Sequence, residues 1–261
     1  MILPRFAALA VMIGLMTVAS APAAAERLVV SLSNHRVMVT SSFTGVDLVL
    51  FANVERDQAT LPRRSGYDVV VTVTGPRESR RTRRKERVFG IWVNVESRTF
   101  INVPSYLAAI SSKPVDAIAG IDTLRRLQVG LSHILLPQRI GPDVADVVHN
   151  DPFRMAFLRL KKEHGLYIER PTGVTFLTPT LFRADIPLPA NVPFGIYEVD
   201  VKLFADGAMV GQSTSALEVI KVGFEQFVAD AARDYGLLYG LATAMLALLI
   251  GWFASVVFRR D

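Results

Sequence analysis

From Gly236 to Phe258 the chain runs without one charged side chain. As a helix such a run is about 34 Å long, enough to cross roughly 30 Å of hydrocarbon. Arg259 and Arg260 follow at once, while Arg233 and Asp234 before the run cancel. Positive charge is retained on the cytoplasmic side of a membrane. The sequence therefore predicts a single-pass helix over 236–258, a cytoplasmic tail over 259–261, and everything before the helix on the outer side. Within the run Gly236, Gly240, Ala244, Ala247, Gly251 and Ser255 recur at close to the helical period. Small residues in register let two helix backbones approach, so this stripe is a candidate helix–helix interface, for self-association or for docking on another membrane helix.

The other end carries a second targeting pattern. Arg5 precedes the uncharged stretch Phe6 to Val18, Pro22 breaks the helix, and Ala23-Ala24-Ala25 forms a small-residue cleavage site before Glu26. This predicts a signal peptide over 1–25 and a domain that works outside the cytoplasm, on an inner membrane and in a periplasm. There is no cysteine, so neither disulfides nor thiolate chemistry enter. The exported domain, 26–221, must be held by its own apolar core, which about 200 residues can supply. Between it and the anchor, Phe224, Phe227, Val228 and Ala231 recur at i, i+3, i+4 and i+7, which predicts an amphipathic juxtamembrane helix over 222–235.

The charge is concentrated in one place. Arg77, Arg80, Arg81, Arg83, Arg84, Lys85 and Arg87 stand against only Glu78 and Glu86, so this segment holds the whole formal excess of +5. A protein outside the cytoplasm has no routine nucleic-acid partner. Anionic lipid of the inner membrane, a small anion or an acidic partner are the candidates that remain. Arg80, Arg81, Arg83, Arg84 and Lys85, with Trp92 and Asn94 on the strand that follows, are the candidate anion- or partner-binding residues. A solvated loop that only guards a sheet edge is the alternative.

Patterning elsewhere points to a mainly β domain. Strands are expected over Arg27 to Leu32, Val37 to Thr40, Val46 to Val54 and Tyr67 to Thr74. The last of these pairs with Val88 to Val95 in a long hairpin whose connection is the basic segment. Pro104 to Ser111 and Ile121 to Leu131 suit short helices. A clearer helix runs from Pro152 to His164, with Asp151 as N-cap, proline at N1 and Gly165 after its end. Its apolar face is Phe153, Ala156, Phe157 and Leu160. Tyr197, Val199, Val201 and Leu203 alternate with polar residues, and Asp206-Gly207 turns the chain into a partner strand. Together these suggest an immunoglobulin-like β-sandwich with a helical insertion at about 104–165, two smaller domains being the alternative.

No enzyme signature is present. His133 stands alone, and Asp143, Asp146 and His149 share a spacing that reads as a solvated helix face rather than a metal site. No nucleophile elbow, P-loop or dinucleotide fingerprint occurs. Neither a metal nor a cofactor is expected, nor a catalytic residue. Ser42-Phe43-Thr44-Gly45, Gly75-Pro76, Arg83-Arg84-Lys85-Glu86-Arg87, Gly90-Ile91-Trp92-Val93-Asn94, Pro104-Ser105-Tyr106, Pro193-Phe194-Gly195-Ile196-Tyr197, and Tyr239-Gly240 with Gly251-Trp252 together resemble an alphaproteobacterial transmembrane protein family. That resemblance spans the mature chain. It implies no chemistry, and it implies a partner, a sulfite-exporter-type permease. The expectation is a non-enzymatic accessory of a multi-pass transporter for an anion such as sulfite. A free-standing periplasmic ligand-binding or envelope-stress module is the alternative.

Overall fold

The computed structural model describes residues 26–55, 66–140, 143–146, 150–223, 228 and 232–257. The expected signal peptide, the cytoplasmic tail, His149 and residues 224–227 and 229–231 of the amphipathic segment 222–235 lie outside the described residues. Among the described residues fourteen strands form three sheets. The first holds β1 (Arg27–Leu32), β3 (Gly45–Glu55), β12 (Leu181–Pro189) and β11 (Val174–Phe176), in that order. The second runs β10 (Tyr167–Pro171), β7 (Leu107–Ser111), β4 (Asp68–Thr74), β13 (Gly195–Ala205), β14 (Ala208–Lys221) and β2 (Arg36–Val39). The third runs β5 (Arg77–Val88), β6 (Ile91–Pro104), β8 (Pro137–Ile140) and β9 (Asp143–Asp146).

The first two sheets share one core. Alternation in β3 sends Leu48, Leu50, Ala52 and Val54 inward, where they meet Val69, Val71, Val73, Val199, Val201 and Leu203 of the second sheet. The β13–β14 hairpin forms at Asp206-Gly207 as expected, both residues with positive φ. Tyr197 donates its hydroxyl to the Pro193 carbonyl at 2.5 Å, closing the corner that leads into β13.

Three expectations need correction. Pro104 to Ser111 is not a helix: Leu107–Ser111 is β7, between antiparallel β4 and parallel β10. All its side chains are buried, so it lacks the alternation that marks a strand, and Ala108-Ala109 favour a helix only while no neighbours are present. The 104–165 stretch is thus not a purely helical insertion, because it supplies a central strand. Its helical parts are a single turn at Val115–Ala117, α1 (Ile121–Arg126) and α2 (Pro152–Glu163). The turn and α1 cover the outer face of β4, burying Val70 and Phe204 with Val115, Ile118 and Leu124.

Secondly, Asp143 and Asp146 lie on strand β9, so no helix face joins them. Thirdly, the basic segment is not a connection. It is β5 itself, and the hairpin turn falls at Phe89-Gly90. The register explains why. Thr74 pairs with Leu107, Gly75 N–H bonds the Tyr106 carbonyl, Ser105 N–H bonds the Pro76 carbonyl, and Arg77 pairs with Pro104. The β4–β7 ladder therefore runs into the β5–β6 ladder without a break. The result is one long antiparallel ribbon that leaves the second sheet.

α2 has the expected caps. The Asp151 carboxylate accepts from the Phe153 and Arg154 N–H groups at 2.9 and 3.0 Å, and Gly165 takes φ +67° after the last turn. Its apolar face differs in part. Phe153 and Phe157 are buried against Phe100 and Tyr167, but Leu160 is exposed, and Arg154 and Lys161 are buried in its place. α3 (Gly236–Val257) is the long apolar helix, with no described residue covering it.

Candidate functional site

The ribbon fixes the position of every basic residue. Cross-strand partners point to one face and successive residues to opposite faces. Arg80, Thr82 and Arg84 pair with Phe100, Arg98 and Glu96. This face lies toward α2, since Phe100 is fully buried with its ring centroid 4.5 Å from that of Phe157, and Thr82 is buried too. Arg81, Arg83, Lys85 and Arg87 pair with Thr99, Ser97, Asn94 and Trp92 on the other face. Arg139 of β8 joins that face through its pairing with Thr99. A bulge on β6 at Val95, opposite the step from Arg84 to Lys85, preserves the alternation along β5.

The acids are distributed unequally. Arg80 meets Glu78 at 2.7 Å, Arg84 meets Glu86 at 2.7 Å and Glu96 at 3.7 Å, and Arg98 bridges Asp151 at 2.8 Å. The Arg98 guanidinium also lies 4.7 Å over the Phe153 ring. All of these belong to the α2 side. Arg81, Arg83, Lys85 and Arg139 have no acidic partner among the described residues, and the Arg87 guanidinium donates only to the Gly90 carbonyl.

At the root of the ribbon, Lys161 of α2 is buried. Its Nζ donates to Glu78 Oε1 at 3.0 Å and to the Ser105 carbonyl at 2.9 Å, and it lies 5.8 and 5.6 Å from the ring centroids of Phe157 and Tyr167. Burial raises the Glu78 pKa, but the hydrogen bonds from Arg80 and Lys161 outweigh it and hold the carboxyl below its ordinary value. Burial pushes the Lys161 pKa down, and Glu78 offsets this only in part. The partners differ because the ammonium lies deeper than the carboxylate. Tyr167 donates to the Pro104 carbonyl at 2.8 Å and ties β10 to the same root.

Between the free edge of β5 and the N-terminal half of α2 is an open cavity of about 250 Å³, lined by Thr82, Arg83, Arg84, Lys85, Pro152, Phe153, Ala156 and Arg159. It gathers three of the expected site residues, Arg83, Arg84 and Lys85. Arg80 and Arg81 sit nearer the root and do not line it. Trp92 and Asn94 do not line it either; Trp92 is 69% exposed near the ribbon tip rather than buried. The residue that sequence reasoning missed is Arg159, whose only ion pair among the described residues is a loose 3.7 Å approach to Glu163. Nothing in the sequence links it to β5, because α2 and β5 meet only in the fold. Arg84 shares the α2 face and Arg159 lines the hollow from the helix, while Arg83 and Lys85 border it at the strand edge; guanidinium groups so placed can hold a small oxyanion through charge-assisted hydrogen bonds.

His133 is buried, with Nδ1 2.8 Å from the Val129 carbonyl. On α3 the six small residues fall within an arc of about 100°, and no described residue lies within 4 Å of a Cβ built at Gly236, Gly240 or Gly251. A family profile described as "Putative transmembrane protein (Alph_Pro_TM)" matches residues 27–260. No curated protein matches the chain.

Proposed function

The chain belongs to that transmembrane protein family, and from this membership and the geometry above we propose that it is a non-enzymatic accessory of a membrane transporter for a small anion. In this reading α3 anchors the protein in the inner membrane with its tail in the cytoplasm, and the β domain stands in the periplasm. The two facing sheets are read as an immunoglobulin-like sandwich, a reading supported by the Tyr197 corner. The observation that carries the proposal is the cavity beside β5, lined by Arg84 and Arg159 and bordered at the strand edge by Arg83 and Lys85. Its size and charge suit an oxyanion such as sulfite. The row of unneutralised bases around it raises the local anion concentration. The small-residue stripe of α3 is the surface offered to a permease helix or to a second copy.

Two measurements test this. Affinity purification of the full chain from solubilised membranes is expected to retain a multi-pass permease. Sulfite added to the purified chain is expected to raise its melting temperature in a saturable way, and Arg83→Gln with Lys85→Gln to abolish that rise while leaving the ligand-free melting temperature in place. Absence of both the permease and the sulfite effect would refute the proposal.

A further inference from the structure

The outer end of the ribbon breaks a local rule. A two-residue hairpin turn takes both residues into the left-handed region, where asparagine or aspartate followed by glycine is favoured. Gly90 fits at φ +82°, but the first position is Phe89, at φ +48° and completely exposed. Around it Val88, Ile91 and Trp92 are 39%, 66% and 69% exposed. A strained aromatic residue at the tip of a wet hairpin gains nothing from this fold. Immediately behind come Lys85 and Arg87, and then Arg83, on the face without acids.

The topology says where this tip points. β4 and β14 both pair antiparallel with β13, so they run in the same direction. β14 ends at Lys221, where the chain leaves for α3, and β4 runs straight on into β5. Pro76, at the ribbon root, abuts Gly195, whose partner Val219 lies just before the end of β14. The ribbon therefore leaves the domain at the end that faces the anchor. From Arg77 to Val88 it reaches about 40 Å. The chain between Lys221 and Gly236 reaches at most about 50 Å. The tip can meet the bilayer surface to which the tether holds the domain.

We propose that the ribbon tip is a second membrane attachment: the Val88–Trp92 turn enters the interfacial region of the bilayer while Arg83, Lys85 and Arg87 meet the phosphates of anionic phospholipids. Aromatic and aliphatic side chains followed by a band of bases match the two layers of that surface, acyl boundary below and charged headgroups above. The proposal does not depend on what the β5–α2 cavity holds.

The test uses the full chain with Trp252→Phe, which leaves Trp92 as the sole tryptophan. The protein is reconstituted into vesicles of phosphatidylcholine alone and of phosphatidylcholine with phosphatidylglycerol. Trp92 fluorescence is then quenched from the water by acrylamide and from the bilayer by lipids labelled with a nitroxide near the headgroup. The expected result in phosphatidylglycerol vesicles is several-fold weaker acrylamide quenching and strong nitroxide quenching. Raised salt, or Arg83→Gln, Lys85→Gln and Arg87→Gln together, should return both to the phosphatidylcholine values. Phe89→Asn with Ile91→Ser should do the same with the ladder intact, since asparagine suits the turn. Equal acrylamide quenching in both vesicles and in detergent overturns the proposal. So does protection seen only in native membranes with their proteins, which assigns the tip to a protein partner. No sulfite or permease is present, so failure here leaves the accessory reading standing.

Discussion

The contact that aims the ribbon is the Lys161–Glu78–Ser105 junction, and its two charged members should respond unequally to removal. In Glu78→Gln the Lys161 ammonium, with its side chain 11% exposed, keeps the Ser105 carbonyl but loses its counter-charge. Breaking a fully buried ion pair costs about 3–5 kcal/mol. Here the retained carbonyl and the amide oxygen of glutamine reduce that to about 2 kcal/mol. In Lys161→Met an apolar side chain of similar length is placed beside the Phe157 and Tyr167 rings, and Glu78 keeps Arg80 at 2.7 Å. Both Nζ hydrogen bonds, to Glu78 and to the Ser105 carbonyl, are lost, but the burial penalty of the ammonium goes with them, so the net loss is about 1 kcal/mol. The double variant should cost no more than Lys161→Met alone, a coupling of about 2 kcal/mol. Thermal and urea unfolding of the full chain in detergent, followed by circular dichroism, measures all three. The pH dependence follows from the directions of the two shifts. Glu78 has a folded pKa below its ordinary 4.5, so the folded state binds fewer protons there. Its contribution is complete above pH 4.5 and is lost as pH falls through the folded value. Glu78→Gln should flatten that acid limb. Lys161, with a folded pKa below 10.5, also binds fewer protons in the folded state, so stability rises with pH there too: its burial penalty is present at neutral pH and relieved as pH rises toward 10.5, and Lys161→Met should remove that alkaline gain. If Glu78→Gln costs under about 0.5 kcal/mol, the level of an ordinary surface change, or if the single costs add, the junction does not hold the ribbon.

Phe89→Asn alone should stabilise the protein by about 1 kcal/mol, because it relieves a left-handed phenylalanine at an exposed turn; unfolding in detergent is the measurement, and a loss of stability would mean that Phe89 packs within the fold. Amide exchange in detergent should show slow exchange at Thr99 and Phe100, where β6 is paired on both sides and Phe100 is buried, and fast exchange at 85–94, where the ribbon is two-stranded and wet; uniform protection along the ribbon would contradict this account.

How much of this was legible in the sequence depended on whether the determining contacts were local. α2 was readable because its start and stop signals, Asp151-Pro152 and Gly165, act within a few residues. The β13–β14 hairpin was readable because one face is wet and the turn chemistry is explicit. β7 was not, since a strand buried on both faces carries no period, and Ala108-Ala109 then point toward a helix. β5 was illegible for the opposite reason. Both of its faces carry charge, so no alternation shows, and only its register with β6 and the continuous β4–β7 ladder reveal a strand. The cavity was half legible: its β5 residues stood out by charge, while Arg159 becomes part of it only when Phe153 and Phe157 dock α2 on Phe100.

A two-stranded ribbon with both faces in water is marginal by itself, so the placement of its supports carries information. Every one described lies in the inner half: Lys161 on Glu78, Tyr167 on Pro104, Phe157 on Phe100, Arg98 on Asp151, and β8 alongside Thr99 and Phe100. Beyond the Val95 bulge the pairing of β5 with β6 continues alone, and there the sequence places the exposed Phe89 and Trp92 together with Lys85 and Arg87. Had the ribbon served only to cover α2, the ladder could end at the bulge, where that cover ends. The outer half would then be a liability, an exposed hydrophobic tip on a free sheet edge. Bases along β5 guard that edge against another strand, but they do not shield the tip, and an apolar tip on a rigid, supported lever is intelligible when something outside the chain receives it. The direction of β4 and β14 limits that receiver to the side of the domain on which the chain enters α3.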